Sequence, residues 1–118
     1  MQTDKLLKIV QDTLDERKGI NITTLDVKDK TSVTDYMVVV TGNSSRHVKS
    51  LCNYIVENIK KQGFKPFGVE GESGAEWVLL DLGDVVVHIM TQEMRDFYQL
   101  EKLWSVDHVD QEFGEVRS

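Results

Sequence analysis

Apolar residues recur along this chain with two different periods, and the periods divide it into helices and strands. Leu6, Val10 and Leu14 stand four apart with Leu7 beside them, which makes one apolar stripe of a helix. That helix is expected over residues 4–18, capped by Thr3 or Asp4 and ended by Gly19 in the left-handed conformation. A second, clearer stripe is formed by Val48, Leu51, Cys52, Ile55, Val56 and Ile59. Gly42-Asn43-Ser44-Ser45 offers capping oxygens for it, and Gly63 closes it.

Elsewhere the period shortens. Residues 20–27 read as a strand of imperfect alternation, followed by a polar connection over 28–34. The run Asp35-Tyr36-Met37-Val38-Val39-Val40-Thr41 suits a strand buried on both faces. A strand at 66–70 would complete a right-handed crossover with that strand and its helix. After the turn Gly71-Glu72-Ser73-Gly74 come two strands, 76–81 and 84–90, joined tightly through Leu82-Gly83. A short helix follows over 92–98. The order α-β-β-α-β-β-β-α predicts an α/β fold with a mixed five-stranded sheet and flanking helices. One domain is expected over 1–104, with an acidic, mobile tail over 105–118.

Alternation along the last two strands separates their faces. Val78, Leu80, Leu82, Val85, Val87 and Ile89 form a wholly aliphatic face, the expected core. The other face mixes Trp77, Leu79, Val86 and Met90 with Asp81, Asp84 and His88. With Asp81 opposite Asp84 across the turn, Leu79 would face Val86, and Trp77 would face His88. An aromatic anchor among aliphatics, rimmed with charge, has the make-up of a protein-binding hot spot. A second core layer covered by a helix would need the same residues, and composition alone does not choose between the two.

Charge narrows the choice of partner. The formal net charge of -6, with lysines and arginines scattered, is a poor footprint for a protein that holds RNA through phosphates. A basic protein is the easier partner. No stretch approaches the roughly 20 apolar residues that cross a bilayer, and residues 1–5 lack the pattern of a secretion signal. The single cysteine excludes an internal disulfide. These features suit the cytoplasm.

Several of these residues also form a recognisable set. Trp77-Val78-Leu79-Leu80-Asp81-Leu82-Gly83-Asp84-Val85-Val86-Val87-His88, then Glu93, Arg95, Phe97-Tyr98, Leu100-Glu101 and Leu103-Trp104, resembles the signature of the ribosomal silencing factor (Iojap) family. Asp35-Tyr36, Thr41-Gly42, Ser44, Arg46-His47-Val48 and Glu70-Gly71 resemble it too. The resemblance implies a nucleotidyltransferase-like fold without that class's catalytic site. It further implies binding to large-subunit ribosomal protein number fourteen at the intersubunit face. Small-subunit joining would thereby be blocked and translation lowered when nutrients are scarce; organellar relatives aid large-subunit assembly. The expected contact residues are Trp77, Leu79, Asp81, Asp84, Val86, His88, Arg95 and Tyr98.

The residues offer little to a rival chemistry. Nucleotidyl transfer needs carboxylates converging on two metal ions, and no Asp-x-Asp occurs in the chain. Gly42-Asn43-Ser44 gives only a loose version of the accompanying Gly-Ser element. His88 near Asp81 or Asp84 could be a base or a metal ligand, but a hydrogen-bonded surface histidine is simpler. Arg46 and His47, with Ser44 and Ser45, could touch a ribosomal RNA phosphate; alternatively Ser44 is a cap and His47 packs on the sheet edge. Cys52, Phe97 and Leu103 are expected to be structural. Neither catalytic residues nor a metal or cofactor is expected, and an exposed Trp77 face could support weak self-association.

Overall fold

A computed structural model describes residues 2–98 of the chain. In chain order its elements are α1 (Gln2–Glu16), β1 (Ile20–Asp26), β2 (Tyr36–Gly42), α2 (Ser45–Lys61), β3 (Gly68–Glu70), β4 (Trp77–Asp81), β5 (Val85–Thr91) and α3 (Gln92–Tyr98). The expected tail, and the apolar positions Leu100, Leu103 and Trp104, lie outside the described residues. No helix among the described residues is long and apolar enough to cross a membrane.

The two long helices end alike. In α2 the Gly63 N–H donates to the Lys60 carbonyl at 3.1 Å and the Phe64 N–H to the Ile59 carbonyl at 2.9 Å, a Schellman pair with Gly63 at φ 89°. In α1 the Lys18 and Gly19 N–H groups make the same pair to Asp15 and Leu14. Here the left-handed residue is Lys18 (φ 65°), not Gly19 as expected. Gly19 serves close approach instead: a Cβ there would lie 2.7 Å from Val40 Cγ2.

The sheet order is β1-β2-β5-β4-β3. β2 and β5 are parallel at its centre, and the other pairs are antiparallel, so the sheet is mixed. The strand after α2 is not β2's neighbour: the β2–α2–β3 crossover spans β5 and β4. Physical character explains the placement. β5 is a nearly continuous apolar run and takes the centre, whereas β3 has three residues with exposed ends and makes a short edge.

Beneath α1 and α2 lies the main core. Val38, Val40, Val78, Leu80, Leu82, Val85, Val87 and Ile89 meet Leu6, Val10, Leu14, Leu51, Cys52, Ile55 and Ile59, all buried. The aliphatic face of the last hairpin is therefore core, each such side chain contributing about 1.5–3 kcal/mol on burial.

The register of that hairpin departs from expectation by two residues. The observed pairs are Asp81 with Val86, Leu79 with His88, and Trp77 with Met90. Gly83, at φ 88°, is the cause: it takes the first central position of a turn in which the Leu82 N–H donates to the Val85 carbonyl at 2.9 Å. The two turn residues are thus Gly83 and Asp84, not Leu82 and Gly83. A slip of two preserves every side chain's face, so the division into two faces stands.

The second face has a smaller core of its own. Val27, Met37, Val39 and Met90 are buried there, with Leu25, Trp77 and Met94 packed partly against them. Trp77 therefore belongs in part to the second layer that composition left open.

Candidate functional site

Strand pairing lays out the second face in rows. Thr23, Val39, His88, Leu79 and Glu70 form one cross-strand row; Leu25, Met37, Val86, Asp81 and Gly68 form the next. Thr41, Met90 and Trp77 form a third, and α3 packs against the β2 and β5 side of this end.

Helix α3 begins where Thr91 Oγ1 accepts from the Met94 N–H at 3.4 Å. Met94 and Tyr98 turn back towards the sheet, one helical turn apart. The Tyr98 ring lies 4.6 Å from the Trp77 ring, centroid to centroid, tilted by 49°. Phe97 stands edge-on to Tyr98 at 4.8 Å. Contrary to expectation Phe97 is not a core residue: it is 76% exposed, because its position falls off the face that meets the sheet. Tyr98 is 44% exposed and Trp77 half-buried, so the aromatic group is seated on the sheet yet partly open to solvent.

His88 is held from below this group. The Trp77 Nε1–H donates to His88 Nδ1 at 3.0 Å, which places the proton of the neutral ring on Nε2. Burial pushes the His88 pKa down to about 4. Such an imidazole stays neutral near pH 7.

The two carboxylates that flank the hairpin turn go different ways. Asp81 Oδ1 accepts from the Gly83 N–H at 2.9 Å and steadies the turn. Asp84 leaves the face: its Oδ2 accepts from the Thr3 hydroxyl at 2.8 Å, and its carbonyl accepts from the Asp35 and Tyr36 N–H groups. Among the described residues no group of three or more His, Cys, Asp or Glu side chains is arranged to hold a metal ion.

Arg95 also departs from the expectation of a contact surface. It is buried at 6% exposure, and its Nη1 donates to the Asn21 carbonyl (2.6 Å), the Ile20 carbonyl (3.4 Å) and Thr41 Oγ1 (3.0 Å). Its Nη2 donates to Thr23 Oγ1 at 2.9 Å.

The fold thus brings Trp77, Leu79, Val86, His88 and Tyr98 together with Asp81 at their edge, and sets Asp84 and Arg95 apart. Leu25, Met37 and Met94 belong to the same face and were missed. Extending the alternation from β5 to its partner β2 would have found Met37.

A separate cleft of about 380 Å³ lies between the end of α1 and the start of α2, lined by Arg17, Lys18, Asn43, Ser44, Arg46, His47 and Ser50. Ser44 is the cap of α2, its Oγ accepting from the His47 N–H at 3.1 Å. His47 bridges the two helix ends: its Nδ1 accepts from the Asn43 N–H, and its Nε2–H donates to the Arg17 carbonyl at 2.9 Å.

Comparison with known proteins assigns a family to this arrangement. Residues 1–117 match the family model described as "Ribosomal silencing factor during starvation". The ribosomal silencing factor of Haemophilus influenzae is 45% identical over 100 residues, which are 85% of this chain and 98% of that protein. A mouse protein named "Mitochondrial assembly of ribosomal large subunit protein 1" is 31% identical over 106 residues, 87% of this chain and 46% of its own length. A crystal structure of a Chromobacterium violaceum protein superimposes with a TM-score of 0.87 at 40% identity, covering 91% of this chain and 89% of that one. A fold, a set of signature residues and a full-length family match agree: the chain belongs to the ribosomal silencing factor family.

Proposed function

We propose that this chain represses translation by steric occlusion. Its second sheet face docks on ribosomal protein number fourteen of the large subunit, at the intersubunit face, and the rest of the domain fills space needed by the joining small subunit. The observation that carries the reading is the Trp77–Tyr98 pair at 4.6 Å, half open to solvent among Leu79, Val86 and His88. Large aromatics held rigidly in an apolar patch are the usual anchors of an interface. Asp81 at the edge and a net charge of -6 favour a basic partner and speed its approach. Action is in the cytoplasm and uses no cofactor, metal or catalytic residue.

Ribosomal RNA has a minor part in this reading: Arg17, Lys18 and Arg46 around the α1–α2 cleft meet phosphates. The test is subunit association followed by light scattering. Added chain should lower the yield of joined ribosomes in proportion to its binding to large subunits; full association with the large subunits saturated would refute occlusion.

A second reading is favoured by the mouse relative's name: a factor that assists large-subunit assembly. It predicts immature large particles when the protein is removed, whereas silencing predicts fewer free subunits under nutrient limitation.

A further inference from the structure

Arg95 is the one charged side chain buried among the described residues. Its acceptors come from an irregular stretch of β1. The register breaks between Ile20 and Thr23, and Asn21 is left-handed at φ 51°. That bulge turns two successive carbonyls, of Ile20 and Asn21, towards one guanidinium nitrogen. Thr23 and Thr41 add hydroxyl acceptors from β1 and β2.

Among the described residues helix α3 covers Gln92–Tyr98, and its side chains tie it to the sheet. Met94 packs against the Met90 cluster, and Arg95 reaches past it to β1 and β2. Tyr98 lies three residues beyond Arg95, on the same side of the helix, with its ring on Trp77.

We infer that Arg95 is the positioning residue of the docking face: it fixes α3 on the bulged end of β1, so that Tyr98 stays on Trp77, and it does not touch the partner itself. The inference rests on the docking reading above for its consequence, since a preformed aromatic pair binds without the cost of ordering it. Lysine cannot replace it, because two nitrogens of a planar fork serve acceptors on two strands.

Two measurements on the full chain test this. In ¹⁵N spectra of Arg95→Lys, the Trp77 Nε1–H resonance should move towards its position in Tyr98→Ala, and α3 amides should exchange about tenfold faster while β2 and β5 amides keep their rates. In titrations with purified large subunits, Arg95→Lys should weaken binding about tenfold alone but less than twofold in a Tyr98→Ala background. A wild-type indole resonance with wild-type α3 exchange overturns the inference, as do losses that simply multiply. Should Arg95→Lys not fold, Thr23→Val removes the Nη2 acceptor and keeps the arginine, with the same pattern at smaller size. If the unsubstituted chain does not bind large subunits, the docking reading fails, and the spectra alone decide the role of Arg95.

Discussion

Trp77 and His88 are joined by an indole N–H that donates to imidazole Nδ1 at 3.0 Å, on a diagonal across β4 and β5. The bond satisfies two polar groups in a largely apolar face and fixes the plane of the aromatic anchor. It also requires His88 to be unprotonated at Nδ1, and this makes the face sensitive to acid.

The folded-state pKa of His88 is about 4 against an ordinary 6.5. Above pH 6.5 both folded and unfolded chains hold a neutral ring, so His88 adds no pH dependence. Between 6.5 and 4 the unfolded chain takes up a proton that the folded chain refuses, and stability falls as pH falls. The loss attributable to His88 should reach about 2 kcal/mol at pH 5. Urea unfolding of the wild type and His88→Gln at pH 7.5 and 5 should show the excess loss only in the wild type; equal losses would contradict it.

Two left-handed glycines should respond differently to the same change. A Cβ on Gly71 (φ 87°) would collide with the Trp77 carbonyl oxygen, backbone that cannot easily move, whereas nothing lies near a Cβ on Gly63 (φ 89°). Gly63→Ala should cost about 1 kcal/mol from its backbone conformation alone. Gly71→Ala should cost about 3 kcal/mol or more and disturb the Trp77 end of β4. Thermal unfolding of both variants would show whether the ranking holds.

Cys52 should behave as core. It is 1% exposed, and burial raises its thiol pKa to about 11. Reaction with a disulfide reagent at pH 8 should be limited by opening of the native fold and should accelerate in step with urea. Fast labelling of the folded chain would contradict the burial.

The expectation that this chain transfers no nucleotide is open to calorimetry. Asp81 holds a turn, and Asp84 binds Thr3 and carries the start of β2 on its carbonyl. A nucleoside triphosphate with magnesium should give no saturable heat with the full chain; saturable binding would contradict this.

Helices, strands and the aliphatic core were legible because each is written locally, in the spacing of residues such as Leu51, Ile55 and Ile59 or Val85, Val87 and Ile89. The hairpin register was not, since it turned on whether Gly83 took the first or second place in the turn, a choice that leaves both faces unchanged. Strand order was hidden for a related reason: nothing local in 68–70 says that it lies beyond β4 rather than beside β2. Trp77, Leu79, Val86 and His88 could be placed on one face by alternation. Arg95 could not be read correctly, because its acceptors include a backbone carbonyl 74 residues away, exposed by a bulge.

The most direct test of the docking face is the affinity of the chain for isolated large-subunit ribosomal protein number fourteen and for whole large subunits, with and without Trp77→Ala. The substitution should cost about 2 kcal/mol or more, roughly a thirtyfold weaker Kd, for both targets while the fold persists by circular dichroism. Unchanged affinity in a folded Trp77→Ala chain would contradict the account.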